Sequence, residues 1–446
     1  MASVMLFPGR QVVSAPSTVW LPFPLDEAAP AAAGDMTCEI AIVGGGLAGL
    51  STALHLKMAE PRLDVALLEA GRIGYGASGL NSGQCAPRVG PAIERQMRSP
   101  GPDFAHAAYA YSLDAVALTA SLVNTCAIDC DMHTAGQWQV ALRDADAMTL
   151  ERRAAAYRAL GFDVPLLGAD EIRASLPDSR RIRNAIAFPA RLLNPGRLCI
   201  GLKRAALERG VRIFENTRVS RFARDTGTLH VRTGTIGASR VVFAVDGGIG
   251  GIEGLGAFRR SVLPVAAFAA VTRPLSAAER DVIGWRQGHG LYDARPMFNF
   301  LRPLADGRVL IGGGYRYARD EKIDLDLRAQ SAPDLPGQLA LFFPSLPSLT
   351  ADAVWHGLLG CTLNEWPVVK ALDADRRFWH VGAWNGHGVA LAIAAGRDLA
   401  HAMAGHVAIP SVPWACPHAT GLPRAVVRTA LPLYLGWLRH SSRITI

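Results

Sequence analysis

Lysine is nearly missing from this sequence: positions 57, 203, 322 and 370 carry the only four, so 42 of its 46 basic residues are arginine. The arginines are scattered, and no aromatic-laced basic patch forms. The net charge of +8 and pI of about 9.3 therefore lead to no expected nucleic-acid partner. Long apolar runs are also missing. No run of ~18 or more residues is both apolar and free of charge, as a membrane-spanning helix requires, so no stable membrane insertion is expected. Cysteine is sparse, with seven widely spaced residues, an odd number. Cys126 and Cys130, four apart, fit neither a redox pair nor a zinc ribbon. A disulfide framework and a metal site are both unexpected, and a reducing cytoplasm is the expected compartment. Residues 1–35, rich in proline and alanine, lack a cationic start leading into an apolar core. They read as an N-terminal arm and not as a secretory signal.

Glycine is plentiful, at 45 of 446 residues, above the usual ~7%. With half the residues hydrophobic and 19% charged, the chain has ample apolar surface to bury, which excludes intrinsic disorder. Its length predicts two or three structural units.

The clearest local pattern starts at Cys38. Cys38–Val43 is a short apolar run bounded by three glycines, the mark of a buried parallel strand. Leu47–Ala59 has helical spacing and stops before Pro61, and Asp64–Leu68 is a second buried strand closed by Glu69. Together they form a βαβ unit. Helical stretches follow at 104–124, 147–160 and Arg197–Arg209. Strand-like segments follow at Val211–Phe214, Arg218–Ala223, Leu229–Arg232, Arg240–Val245, Ser261–Val271 and Arg308–Ile311. Phe378–Val381 and the helix Val389–Ala404 make a last βα pair. No internal repeat is visible. In the tail, Arg424–Arg439 is apolar and arginine-flanked, and Pro432 is expected to interrupt any helix there.

Within the βαβ unit, Gly44, Gly46 and Gly49 match GxGxxG. The first allows a tight turn, the second lets backbone N–H groups approach a pyrophosphate, and the third lets helix and strand pack closely. The helix N-terminus carried by Leu47 and Ala48 then points its partial positive charge at the phosphates. Glu69, followed by Ala70, ends the next strand, where a carboxylate accepts hydrogen bonds from a ribose. A second glycine-rich stretch, Gly74–Gln84, lies just beyond.

These residues resemble the D-amino-acid-oxidase-like superfamily of FAD-dependent oxidoreductases. The second loop is similar to that family's flavin loop at Gly76, Ala77, Ser78, Gly79, Asn81, Gly83 and Gln84. It departs at Leu80, where arginine is usual, and at Ser82, where glycine is usual. Leu193–Arg197, with Asn194 where histidine is common, resembles the segment leading to the adenine side, where Val219 is expected. Arg302–Gly314 resembles the substrate-domain hairpin, and Trp355–Pro367 the WxGLxxxTxxxxP strand. Asn385–Leu391 resembles the turn that closes the flavin site, placing Gly386, His387, Gly388 and Val389 beside the flavin. The resemblance spans about 36–405, and its spacing is most similar to the γ-glutamylputrescine oxidoreductase group.

The resemblance implies an α/β fold: a Rossmann-like FAD-binding domain of the glutathione-reductase type with a discontinuous, mixed or antiparallel-sheet substrate domain. The expected FAD domain is 36–95, 190–258 and 350–406, the substrate domain 96–189 and 259–349, and the tail 407–446. It further implies hydride transfer to flavin from a carbon bearing an amine, giving an imine that water hydrolyses. O2 is the expected acceptor, giving H2O2. The alternatives are a dehydrogenase serving a quinone or protein carrier at a membrane surface, and a tRNA-modifying flavoprotein.

No catalytic base is assigned from the sequence. Members acting on small α-amino acids hold the carboxylate with an arginine in or just after the flavin loop. Here the first is Arg88, displaced from that place, so Arg295 and Arg302 stand as distal anchors or as surface ion pairs. Tyr292 and Trp366 stand as pocket walls or core. Some members attach flavin through cysteine, but Cys361 sits beside the threonine and reads as core, so FAD is expected to be non-covalent. Some oxidases place a lysine near the flavin; the corresponding strand here reads Val309-Leu310-Ile311.

Overall fold

A computed structural model describes residues 18–20, 28–318, 334–346, 349–407, 412–414, 421 and 423–442. Most of the expected N-terminal arm and part of the tail, with Lys322, lie outside them. The βαβ unit forms as its pattern predicts. Met36–Val43 is a strand whose Ile40, Ala41 and Ile42 are wholly buried, as suits an apolar strand covered on both faces. It pairs in parallel with Val65–Leu68 on one side and Gly234–Phe243 on the other. Arg212–Phe214 and Phe378–Gly382 extend this parallel sheet at either end. An antiparallel ribbon, Arg221–Ala223 with Thr228–Val231, joins the first half of Gly234–Phe243.

The helix Leu47–Ala59 is sandwiched against the helix Gly388–Met403, so it is apolar on every side and not amphipathic. Small residues allow the approach. A side chain at Gly396 would sit 2.9 Å from the Ala48 carbonyl oxygen, and the Ser51 hydroxyl donates to the Ile393 carbonyl at 2.7 Å.

The second large sheet has the order Ala351–Cys361, Leu263–Thr272, Val309–Tyr317, Phe300–Pro303, Gly290–Asp293, Gln137–Val140, Ala185–Phe188 and Leu166–Leu167. All its pairings are antiparallel except Gly290–Asp293 with Gln137–Val140. The fold is thus the expected α/β type with a mixed second sheet. Val309–Tyr317 continues through its three glycines, with a register shift against Leu263–Thr272 just past Gly313, where Gly314 takes φ 65°. Gly312 is a seat for the Phe300 ring, since a Cβ there would lie 2.0 Å from it. One boundary is corrected. Ala351–Cys361, grouped above with the FAD-domain segments, is hydrogen-bonded along Leu263–Thr272 and so belongs to the second sheet.

In the described part of the arm, Trp20 serves as buried cover. Trp20 is 6% exposed, donates its indole N–H to the Asn81 carbonyl and lies under the Arg302 guanidinium. In the tail, the expectation for Pro432 is overturned: Arg424–Ser441 is one helix with Pro432 inside it. Proline removes an N–H and crowds the preceding turn, at a cost of about 3 kcal/mol. Docking of Val427 and Leu435, 3% and 8% exposed, offsets this, since each such burial contributes about 1.5–3 kcal/mol. Pro432→Ala is therefore expected to slow amide exchange across this helix by roughly tenfold or more. Unchanged exchange would show that packing alone sets the helix's stability.

Candidate active site

The glycine turn after the first strand is fixed by backbone contact. Gly44 adopts φ 110°, and a Cβ there would lie 2.4 Å from the Ala244 carbonyl oxygen. A Cβ at Gly49 would lie 2.0 Å from the Gly44 carbonyl oxygen, so only glycine lets this helix start so close to its strand. The free N–H groups of the turn meet two side chains. The Gly45 N–H donates to Glu69 Oε2 at 2.8 Å, and the Leu47 N–H to Ser78 Oγ at 3.0 Å. Glu69 also accepts from the Gly71 N–H. Burial raises its pKa, against the pull of these N–H donors.

This turn opens onto a long cleft of about 550 Å³. Gly44, Gly46, Leu47, Ala48, Glu69, Ala70, Gly76, Ala77, Ser78, Asn81, Val219, Gly386, Gly388 and Val389 line it. Gly49 and Gly83 stand behind it as packing glycines; Gly83 lies against the Leu193 carbonyl oxygen. At the far end, Asn385 and Gly386, with φ 53° and 83°, swing the chain into the N-terminus of Gly388–Met403. Asn385 Oδ1 accepts from the Thr362 N–H at 2.8 Å, which holds this turn against the second sheet.

A second cavity of about 180 Å³ joins the cleft through shared walls at Ala77, Leu80, Asn81, Gly357, Leu359, Gly386 and Val389. Gln84, Arg88, Tyr292, Phe298, Tyr315 and His387 are among its other lining residues. Gln84 accepts from Gln137 Nε2 at 2.6 Å. Burial, and then the neighbouring Arg88, push the His387 pKa well below the usual imidazole value, so the ring is neutral. Cys361 also lines this cavity and is not core as expected; burial pushes its thiol up to about 12, leaving no thiolate.

Of the four expected substrate residues, the structure brings only Tyr292 into this pocket. Arg295 is 5% exposed and fully engaged, with both Asp293 oxygens at 2.7 Å and with Asn299 and the Ser442 carbonyl. Arg302 is equally buried. It ties the Ser82, Gly83 and Leu193 carbonyls together, and burial lowers its pKa to about 10. Neither is a surface pair or an anchor. Trp366 packs on Gly90 and edge-on to Phe104.

The residue set aside, Arg88, is the one that enters. Its guanidinium lies 5.6 Å from the Tyr292 ring centre and 5.8 Å from that of Phe298. No carboxylate pairs with it among the described residues. Its signal was being the first arginine past the flavin loop. Asp246 was also missed. It is half-buried and accepts from the Gly360, Ala383 and Trp384 N–H groups, and desolvation pushes its pKa up to about 6. Its signal is a lone acid at the end of a buried strand, followed by two glycines.

A glycine-rich backbone cradle, a half-buried carboxylate at the end of the second strand and two helix N-termini along one cleft are what a flavin dinucleotide needs. Sequence comparison agrees. Residues 39–402 match the model of the FAD-dependent oxidoreductase family DAO, and the chain belongs to that family. It is 31% identical over 375 residues to γ-glutamylputrescine oxidoreductase of Escherichia coli K12, covering 83% of this chain and 84% of that protein. Among solved structures it is similar to glycine oxidase from Geobacillus kaustophilus, with TM-score 0.72, 21% identity, and 86% and 99% of the two chains covered. It is also similar to L-proline dehydrogenase from P. horikoshii, with TM-score 0.68, 18% identity, and 85% and 97% covered.

The residues present fit FAD. Glu69 would face the ribose, the Gly44–Leu47 turn the diphosphate, and the Gly386–Val389 turn the ring. Glu69→Ala should therefore weaken FAD retention roughly tenfold to a hundredfold, the loss of a charged acceptor worth about 1.5–3 kcal/mol. Flavin content after dialysis measures it, and full retention would remove Glu69 from the site.

Proposed function

We propose that this protein oxidises the C–N bond of an amine that also carries a carboxylate, using non-covalent FAD, with O2 as acceptor and H2O2 as product. The observation that carries this reading is Arg88, among the described residues the only formally charged side chain lining the pocket beside the flavin cleft. A guanidinium with no carboxylate partner among the described residues, set under aromatic walls, selects an anionic group and presents a two-pronged donor to it. Glycine, L-proline and γ-glutamylputrescine, the compounds in the relatives' names, are all carboxylate-bearing amines.

FAD, when bound, accepts the hydride from the carbon next to nitrogen. The chain's task is placement. Tyr292, Phe298, Phe300 and Tyr315 exclude water around the substrate carbon, while Arg88 fixes the far end. Among the described residues no carboxylate lines the pocket, and His387 is neutral, hemmed by burial and by Arg88. The substrate amine therefore sheds its proton before binding, and the imine formed is hydrolysed by water to a carbonyl compound and an amine or ammonia.

Anaerobic bleaching of the flavin by a panel of amines and amino acids, followed by air, tests the reaction and the acceptor together. Rapid recolouring with peroxide is expected; bleaching without recolouring would replace O2 by a carrier. Arg88→Met should raise KM for carboxylate-bearing substrates by roughly tenfold to a hundredfold and leave uncharged amines unaffected. Equal effects on both would remove the anchor role.

The pH dependence follows from the same lining. kcat/KM is expected to rise with pH toward the substrate amine's pKa, and His387→Asn should keep that limb. A further limb at lower pH, below the usual imidazole range, that vanishes in His387→Asn would instead make His387 the base.

A further inference from the structure

The helix Arg424–Ser441 has two apolar faces, and the fold uses only one. Val427 and Leu435 point inward and are buried. Val426, Ala430, Leu433 and Trp437 recur at i, i+4, i+7 and i+11, which puts them on one stripe of a helix. That stripe points outward: Val426, Leu433 and Trp437 are 41%, 74% and 61% exposed. Tyr434, at 55%, stacks on Trp437 with ring centres 6.1 Å apart. Of the ten large apolar side chains exposed among the described residues, four lie on this one helix.

An outward stripe of this kind has a partner, and charge indicates which. The helix carries Arg424, Arg428, Arg439 and His440 and no Asp or Glu. Its neighbour in the fold, the turn Gly256–Arg260, adds the exposed Arg259 and Arg260. Two copies of this helix set face to face would oppose positive charge with positive charge. An anionic surface complements it, and arginine stems reach around a helix rim to such a surface. Trp and Tyr beside an aliphatic stripe are the side chains that favour the boundary between lipid headgroups and acyl chains. None of the described helices is long and apolar enough to cross a membrane.

The geometry points to peripheral docking: the helix Arg424–Ser441 lies flat on an anionic lipid bilayer, burying Leu433, Tyr434 and Trp437. This holds whichever amine the enzyme oxidises, and none of these side chains lines the cleft or the pocket.

The test is flotation of the full-length, FAD-loaded protein with vesicles of phosphatidylcholine alone or mixed with phosphatidylglycerol, at low and high salt. The parent protein is expected to float with the anionic vesicles only and to be released by salt. The double variant Leu433→Ser, Trp437→Ser should lose roughly tenfold or more of that binding, because it strips two buried anchors. Its flavin content and turnover should match the parent's, which shows that the fold is kept. Binding to neither vesicle, equal binding to both, or undiminished binding of the variant would overturn the proposal. So would a parent dimer in light scattering that the double variant dissociates without any vesicle binding, since the stripe would then be a self-association seam.

Discussion

The cleft depends on one half-buried carboxylate. Asp246 ends the strand Gly234–Phe243 of the parallel sheet and accepts N–H groups from both walls: Gly360 at the end of the second sheet's edge strand, and Ala383 and Trp384 just past the parallel strand Phe378–Gly382. It is the pin on which the two sheets meet beside the flavin turn. Two effects oppose each other at this group. The N–H donors favour the ionised form and burial favours the neutral one, and burial wins, since the pKa is pushed up to about 6. A folded value above the unfolded one means the acid form fits better. The contribution of Asp246 to stability is therefore full in acid, below the ordinary carboxyl value, and diminishes as pH rises through about 6. At neutral pH the pin is held ionised by its three donors, a strained arrangement of the kind found at functional sites.

How much of this was legible in the sequence follows from the range of the interactions. The glycine turn, Glu69 and the flavin loop were readable because their constraints are local: a strand, a turn and a helix adjacent in sequence fix each other's backbone. The second sheet was only partly readable. Its edge strand Ala351–Cys361 follows the chain order of the flavin segments but pairs with Leu263–Thr272, a long-range choice without a local mark. Pro432 misled for the same reason: a local rule against proline in helices was outweighed by docking of side chains on a distant strand.

The arginines show where sequence reasoning runs out. Lys203 on Glu215 is the sole buried lysine ion pair among the described residues, so most long-range polar ties fall to arginine, whose planar fork can hold several acceptors at once. Arg302 gathers three carbonyls, from the flavin loop and the 190s segment, and Arg295 gathers a carboxylate, an amide and a tail carbonyl. From the sequence these two and Arg88 look alike. What separates them is whether acceptors surround the guanidinium, and that is a property of the assembled fold.

That contrast bears on chemistry. A buried guanidinium is costly to keep unless acceptors surround it. Arg302 meets the requirement with backbone carbonyls and Arg295 with Asp293, while the half-buried Arg88 has no carboxylate partner among the described residues and meets the faces of Tyr292 and Phe298 and the Tyr292 hydroxyl, which hold it more weakly. A charge left short of acceptors in a pocket that is otherwise neutral is therefore an affinity for an anion. It also acts at a distance on the other titratable group nearby. The field of Arg88 reinforces burial in keeping His387 neutral, so one side chain both recruits the carboxylate and denies the pocket a protonated imidazole. An amine entering such a pocket meets no group to carry its proton, and the fold thereby favours hydride removal from the neutral amine over any step that begins with proton abstraction.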